Sequence, residues 1–265
     1  MSAGALRTDW RPMKKLPQVT AVFWIMKVAA TTLGETGGDL LAQTLNVGYA
    51  VSSVLFIALF FVSLITQMKA KKFHPALYWT VIVSTSTAGT TMSDFLNRSA
   101  GLGYAKGALL LITCLACVFV IWSRCGETFD VEQITTFRGE LLYWIAILFS
   151  NTLGTSLGDF LADSSGLGFA GGAALIGVLM ALILVAHYFT RISGTVLFWA
   201  AFVLTRPLGA TVGDLFSKPH DKGGLELGTV GSSAVLAAIL LALIVYTHLR
   251  HQQTAAEREP VHQRS

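Results

Sequence analysis

The stretch FWIMKVAATTLGETGGDLL, residues 23–41, decides the fold, because it returns three times without a gap: YWTVIVSTSTAGTTMSDFL from Tyr78, YWIAILFSNTLGTSLGDFL from Tyr143 and FWAAFVLTRPLGATVGDLF from Phe198. In each copy a Trp (Trp24, Trp79, Trp144, Trp199) precedes an Asp (Asp39, Asp94, Asp159, Asp214) by 15 residues. Repetition on this scale marks a fold made by stacking one supersecondary unit. A second apolar run follows each copy and starts at a Gly. Gly48, Gly103 and Gly168 lie nine residues after their Asp, whereas Gly228 lies 14 after Asp214 because of a polar insertion containing Lys218, Pro219, His220, Asp221 and Lys222. Successive Asp residues are 55, 65 and 55 apart, and the longer interval falls in the segment Gly126 to Gly139. The chain therefore divides into a leader (1–15), a first half of two units (16–125), a linker (126–139), a second half of two units (140–250) and a tail (251–265).

Composition names the solvent. Of 265 residues, 53% are hydrophobic and 13% charged, about half the charged share of a soluble domain. Apolar stretches such as Ala108–Trp122, Ala173–Tyr188 and Ser232–Leu249 approach, with their flanks, the roughly 20 residues that cross a bilayer. The sequence predicts an all-α polytopic membrane protein of eight transmembrane helices, arising from four parallel two-helix repeats. Lys and Arg cluster at alternate ends of the apolar runs: Arg7, Arg11, Lys14 and Lys15; Lys69, Lys71 and Lys72; Arg124 and Arg138; Arg191; Arg250, Arg258 and Arg264. By the positive-inside rule both termini are expected in the cytoplasm. The net charge of +4 is then topology information, and no nucleic-acid partner is implied.

The four-fold aromatic-Trp, Thr-x-Gly and Asp pattern resembles a family of bacterial integral membrane proteins built from four tandem two-transmembrane repeats with a signature Trp. The resemblance covers Leu16 to Arg250. It implies the bacterial inner membrane as location and leaves the function open.

The three cysteines, Cys114, Cys117 and Cys125, do not make a disulfide framework. The six His residues sit at helix ends, in the outer loop or in the tail and are read as solvated. The four Trp are read as anchors of an aromatic belt at the membrane interface. No HExxH, GxSxG or phosphate loop is present, so no enzyme and no cofactor are expected.

Chemistry concentrates on the first helix of each unit. At about 100° per residue, positions spaced by four and then three share a face. Thr32, Thr36 and Asp39 form such a stripe, as do Thr87, Thr91 and Asp94, then Thr152, Ser156 and Asp159, and finally Thr211 with Asp214. An acid within a span costs about 2.5–3.5 kcal/mol on insertion scales, which makes it a functional candidate. The competing structural role is an Asp that caps the turn into the next helix. If the units surround a common axis, four carboxylates and the hydroxyls supply oxygen ligands suited to a hard divalent cation, with the four Asp residues as metal ligands. Glu35, one turn deeper than Asp39, is a second ligand or proton carrier. Lys27 and Arg206 occur in single units and are candidate charge partners or coupling residues. Pro207 is expected to kink or break its helix.

These features predict a secondary transporter of a small cation, with Mn²⁺-like efflux coupled to protons as the leading form. A pseudo-four-fold channel with an Asp ring is the first alternative. A non-transporting membrane sensor or assembly protein is the second. The partners expected are the lipid bilayer, a small cation and protons.

Overall fold

A computed structural model describes residues 17–70 and 73–257, the last seven without side chains. The basic groups at Arg7, Arg11, Lys14 and Lys15, at Lys71 and Lys72, and at Arg258 and Arg264 lie outside the described residues, as do the leader and the end of the tail. Eight long helices follow one another: α1 (Ala21–Asp39), α2 (Tyr49–Lys69), α3 (Pro75–Asp94), α4 (Tyr104–Arg124), α5 (Phe137–Asp159), α6 (Gly168–Phe189), α7 (Gly194–Ser217) and α8 (Gly228–Glu257). In the first three units the Asp is the last α-helical residue, and one wider π turn follows it: Leu40–Thr44, Phe95–Ser99 and Phe160–Ser164. The next helix then starts at a Gly with positive φ (82° at Gly48, 74° at Gly103, 66° at Gly168, 69° at Gly228), a backbone state that a side chain would strain.

Close approach of the first helices arranges the units. A Cβ on Gly34 would collide with Ser86. One on Gly89 would meet the Asn151 backbone at 2.9 Å, one on Gly154 would collide with Arg206, and one on Gly209 would meet Thr31 Cβ at 2.7 Å. The partner is always the residue three before the equivalent Gly of the following unit, and the fourth unit returns to the first. Thus α1, α3, α5 and α7 form a closed ring in which each touches its two neighbours, held by the small-residue contacts that let membrane helices pack backbone to backbone. The second helices take the seams outside it. Each packs mainly on the first helix of the next unit, α2 on α3, α4 on α5 and α6 on α7, and α8 closes the circle on α1.

This arrangement sorts the apolar surface. The outer helices expose large aliphatic side chains, such as Val54 at 66%, Leu109 at 66% and Val235 at 60%, on faces that water would not favour and lipid does. Six helices (α2, α4, α5 with its π turn, α6, α7 and α8) have the length and apolarity to cross a bilayer. The other two, α1 and α3, are the most polar. Lys27, Glu35 and Asp39 lie in α1, and α3 carries a run of Ser and Thr. α1 packs against α3, α7 and α8, and α3 against α1, α2, α5 and, more lightly, α8, so Lys27, Glu35, Asp39 and most of the α3 hydroxyls are withdrawn from the outer surface.

Two sequence expectations need correction. α7 runs unbroken through Pro207, whose ring packs on the side of α5 where Gly154 leaves room. Trp79, Trp144 and Trp199 are not an interfacial belt, for all three are buried and only Trp24 is half-exposed. The Trp199 indole donates to the Phe129 carbonyl at 3.0 Å. Phe129, Val131 and Ile134 of the linker also join this aromatic core, so the segment between the halves is folded against the Trp end of the ring.

Candidate functional site

The rule that joins the units also fixes which side chains enter the ring. Taking every fourth residue along each first helix gives a ladder of four-membered layers. The first, at the Trp end, is aromatic: Phe23, Tyr78, Tyr143 and Phe198, with the two tyrosine hydroxyls 2.7 Å apart. Above it come Lys27, Ile82, Ile147 and Phe202, all fully buried. Next are Thr31, Ser86, Asn151 and Arg206, then Glu35, Thr90, Thr155 and Ala210, then the four Asp residues. The last layer is Gln43, Arg98, Asp163 and Lys218, at the rim.

Arg206 crosses the ring. Its Nη2 donates to Glu35 Oε2 at 2.9 Å, to the Ser86 carbonyl at 3.4 Å and to the Thr90 hydroxyl, while Nη1 donates to the Thr31 carbonyl at 3.3 Å. One guanidinium thereby links α7 to α1 and to α3 opposite it. A buried carboxylate is tolerated when paired and hydrogen-bonded in this way.

The four Asp residues are bridged in two pairs by cations at the rim. Lys218 bonds Asp39, lies 3.3 Å from Asp214 Oδ1 and donates to Gln43 Oε1 at 3.3 Å. Gln43 in turn donates to Asp39 Oδ1 at 2.5 Å. Burial opposes the charge on Lys218, but Asp214 and then Asp39 outweigh it and hold its pKa above the ordinary lysine value. Across the ring, Arg98 lies 2.9 Å from Asp94, 3.8 Å from Asp159 and 3.9 Å from Asp163. Each cation lies one turn beyond its own unit's Asp and bridges to an adjacent unit. None of Asp39, Asp94 or Asp159 makes a side-chain cap to the π turn that follows it.

Of the residues singled out in the sequence, the fold brings Glu35, Asp39 and Asp214 together. One carboxylate oxygen from each lies within 4.8 Å of the other two. Asp94 and Asp159 meet at Arg98 instead. The hydroxyl stripe lies elsewhere. Thr32, Thr87, Thr91, Thr152 and Thr211 donate to carbonyls of their own helices. Thr36 does the same and accepts from Ser233 of α8 at 2.8 Å. Ser156 bonds Ser93 and Asn97 across the seam between α3 and α5. These groups occupy helix seams and do not meet one another on the axis. Lys27 reaches no carboxylate, and its Nζ stands 4.0 Å above the Phe202 ring.

Sequence reasoning did not assign Arg98, Lys218, Gln43 and Thr90 to the site. The signal was present: extending the four-residue step once beyond each Asp reaches Gln43, Arg98, Asp163 and Lys218.

Together these features define a multi-pass membrane protein with a ring of buried acids closed by tethered cations. The chain belongs to the family described as Repeat of Unknown Function (DUF347), whose model matches it four times, over residues 22–73, 77–128, 142–193 and 197–253. Each match spans one inner helix and the outer helix that follows it. No curated protein and no solved structure matches the chain.

Proposed function

We propose that the protein is a secondary transporter of a small cation in the bacterial inner membrane, with a divalent, Mn²⁺-like metal as substrate, protons as the coupling ion and efflux as the direction. The reading rests on one observation, the convergence of Glu35, Asp39 and Asp214 within 4.8 Å beneath Lys218. Metal–oxygen bonds of about 2.1–2.5 Å set opposing ligand oxygens about 4–5 Å apart, so the three acids match the span of a hard divalent ion. With the Arg206 guanidinium counted, these carboxylates retain two negative charges, which one such ion neutralises.

In this mechanism Lys218 is a tethered stand-in for the substrate. Its ammonium offsets one of the two charges of Asp39 and Asp214 when no ion is bound and withdraws toward the rim, where its side chain is 16% exposed, when one enters. Loading protons onto the same acids releases the metal, which couples the two fluxes. Arg98, a bidentate and permanently charged group, holds Asp94 and Asp159 as the fixed half of the ring. Two features argue against a channel: Arg206 crosses the axis, and the aromatic layer with the linker fills its Trp end.

The test is Mn²⁺ flux into proteoliposomes under an imposed pH gradient, for the full chain and for Glu35→Gln, Asp39→Asn and Asp214→Asn. Loss of flux in all three is expected. Wild-type rates in every variant would overturn the assignment.

A further inference from the structure

The middle of the ring contains a second polar site that the proposed cation path does not use. Lys27 is fully buried, and its ammonium has no hydrogen-bond acceptor. One turn along the same helix, the layer of Thr31, Ser86, Asn151 and Arg206 is equally buried. There the Ser86 hydroxyl, both polar atoms of the Asn151 amide and Arg206 Nε also have no partner. Glu35, in the next layer, already accepts from Arg206 and Thr90 through Oε2.

We infer that Lys27, Arg206, Asn151 and Ser86 form a buried binding site for a small monovalent anion of the halide class. The donors decide the sign of the ligand. Four hydrogen-bond donors lack acceptors in two adjacent layers, two of them belong to basic side chains, and buried donors of this kind are normally satisfied. A neutral Lys27 amine removes one charge but leaves Arg206 Nε, the Asn151 amide and the Ser86 hydroxyl without an acceptor. One anion answers several of them at once and separates two cations that otherwise repel. Arg206 is already matched by Glu35, so the uncompensated charge is single, and a divalent oxyanion over-compensates it. The Phe202 ring 4.0 Å from Lys27 Nζ contributes a cation–π contact but supplies no acceptor to Arg206 Nε, the Asn151 amide or the Ser86 hydroxyl. Only the first unit has Lys here; Ile82, Ile147 and Phe202 occupy the equivalent places, which confines the site to one position in the ring.

The experiment uses full-length protein in lipid nanodiscs, with no metal added, so its outcome is independent of cation transport. Replacing about 100 mM sodium gluconate by sodium bromide should raise the apparent Tm by about 4 °C. The rise should vanish in Lys27→Met and shrink in Asn151→Ala. Wild-type crystals grown in bromide should show an anomalous peak between Lys27 Nζ and Arg206 Nε, a readout that stands even where a variant fails to fold. An equal Tm rise in both variants, no rise in the wild type, or no bromide peak on the axis would overturn the proposal.

Discussion

Lys218, in the fourth unit, is bonded to Asp39 in the first, so the ring of repeats is closed at its rim by an ion pair between the two ends of the repeat array. The same ammonium faces Asp214 at 3.3 Å. A substrate cation entering this site competes with it. Lys218→Gln removes the competitor, so the KM for Mn²⁺ in proteoliposomes should fall several-fold, while kcat falls because nothing displaces the bound ion on release. An unchanged KM would show that Lys218 is not the group the ion replaces.

The pH behaviour of that pair follows from its charges. Asp214 and Asp39 hold the Lys218 pKa above its unfolded value, against the opposing effect of burial. A group raised on folding contributes its stabilisation fully below the unfolded pKa, about 10.4, and loses it as pH rises through the folded value. The Lys218 contribution is therefore constant across neutral pH. The apparent Tm difference between wild type and Lys218→Met should be the same at pH 6 and pH 8 and should narrow only in strong alkali. A difference that changes between pH 6 and 8 would mean that the ion pair, through Lys218 or the acids facing it, takes up or loses a proton in that range.

Arg98 makes the corresponding contacts for the second and third units, but with a different outcome. It faces Asp94 and Asp159, both buried, from a side chain that is 36% exposed. Breaking a buried pair by removing one partner costs about 3–5 kcal/mol, and the partial exposure of Arg98 places its removal toward the lower end. Arg98→Gln should lower the apparent Tm by several degrees, and adding Asp94→Asn should recover part of the loss. The KM for Mn²⁺ should move little, in contrast to the Lys218 variant. A KM change as large as that of Lys218→Gln would put Arg98 in the ion site.

How much of this was legible depends on the distance over which each feature is set. The repeat and its helices are local, and Trp24 to Asp39 and its three copies reveal them directly. Which face of each helix enters the ring is a tertiary choice. Rows at four-and-three spacing and at strict four spacing both exist on one helix, and the hydroxyl stripe through Thr32 and Thr36 satisfies the first. Gly34, Gly89, Gly154 and Gly209 choose the second, because their close contacts turn Thr31, Ser86, Asn151 and Arg206 inward. The placing of α2 on α3 rather than on α1 is equally invisible in a single unit. So is the burial of Trp199, whose surroundings include the linker residue Phe129 and Trp122 of α4, and of Trp144, which packs on Tyr78 of the preceding unit.

The glycine contacts are themselves testable. A Cβ at Gly89 would stand 2.9 Å from the Asn151 and Thr152 backbones, and backbone cannot swing aside as a flexible side chain does. Overpacking typically costs about 1–3 kcal/mol, and a contact with backbone belongs at the upper end. Gly89→Val should reduce the yield of folded protein and lower the apparent Tm sharply. Gly177→Val on the outer helix α6, where a Cβ meets nothing within 4 Å, should leave both unchanged.

The Glu35–Arg206 pair separates stability from function most cleanly. Both groups are buried, and Arg206 also ties Thr31, Ser86 and Thr90 to α7. Glu35→Leu leaves a guanidinium without its carboxylate, and Arg206→Met leaves a carboxylate without its guanidinium. Each should cost about 3–5 kcal/mol, whereas replacing both removes the uncompensated charge and comes close to neutral. In a double-mutant cycle the two changes should therefore be strongly non-additive, with the double variant more stable than either single one. That variant also lacks one of the three carboxylates assigned to the ion. It should be well folded by apparent Tm and yet inactive in Mn²⁺ flux, a combination that a purely structural role for Glu35 does not produce. Wild-type flux from a stable double variant would remove Glu35 from the ion site.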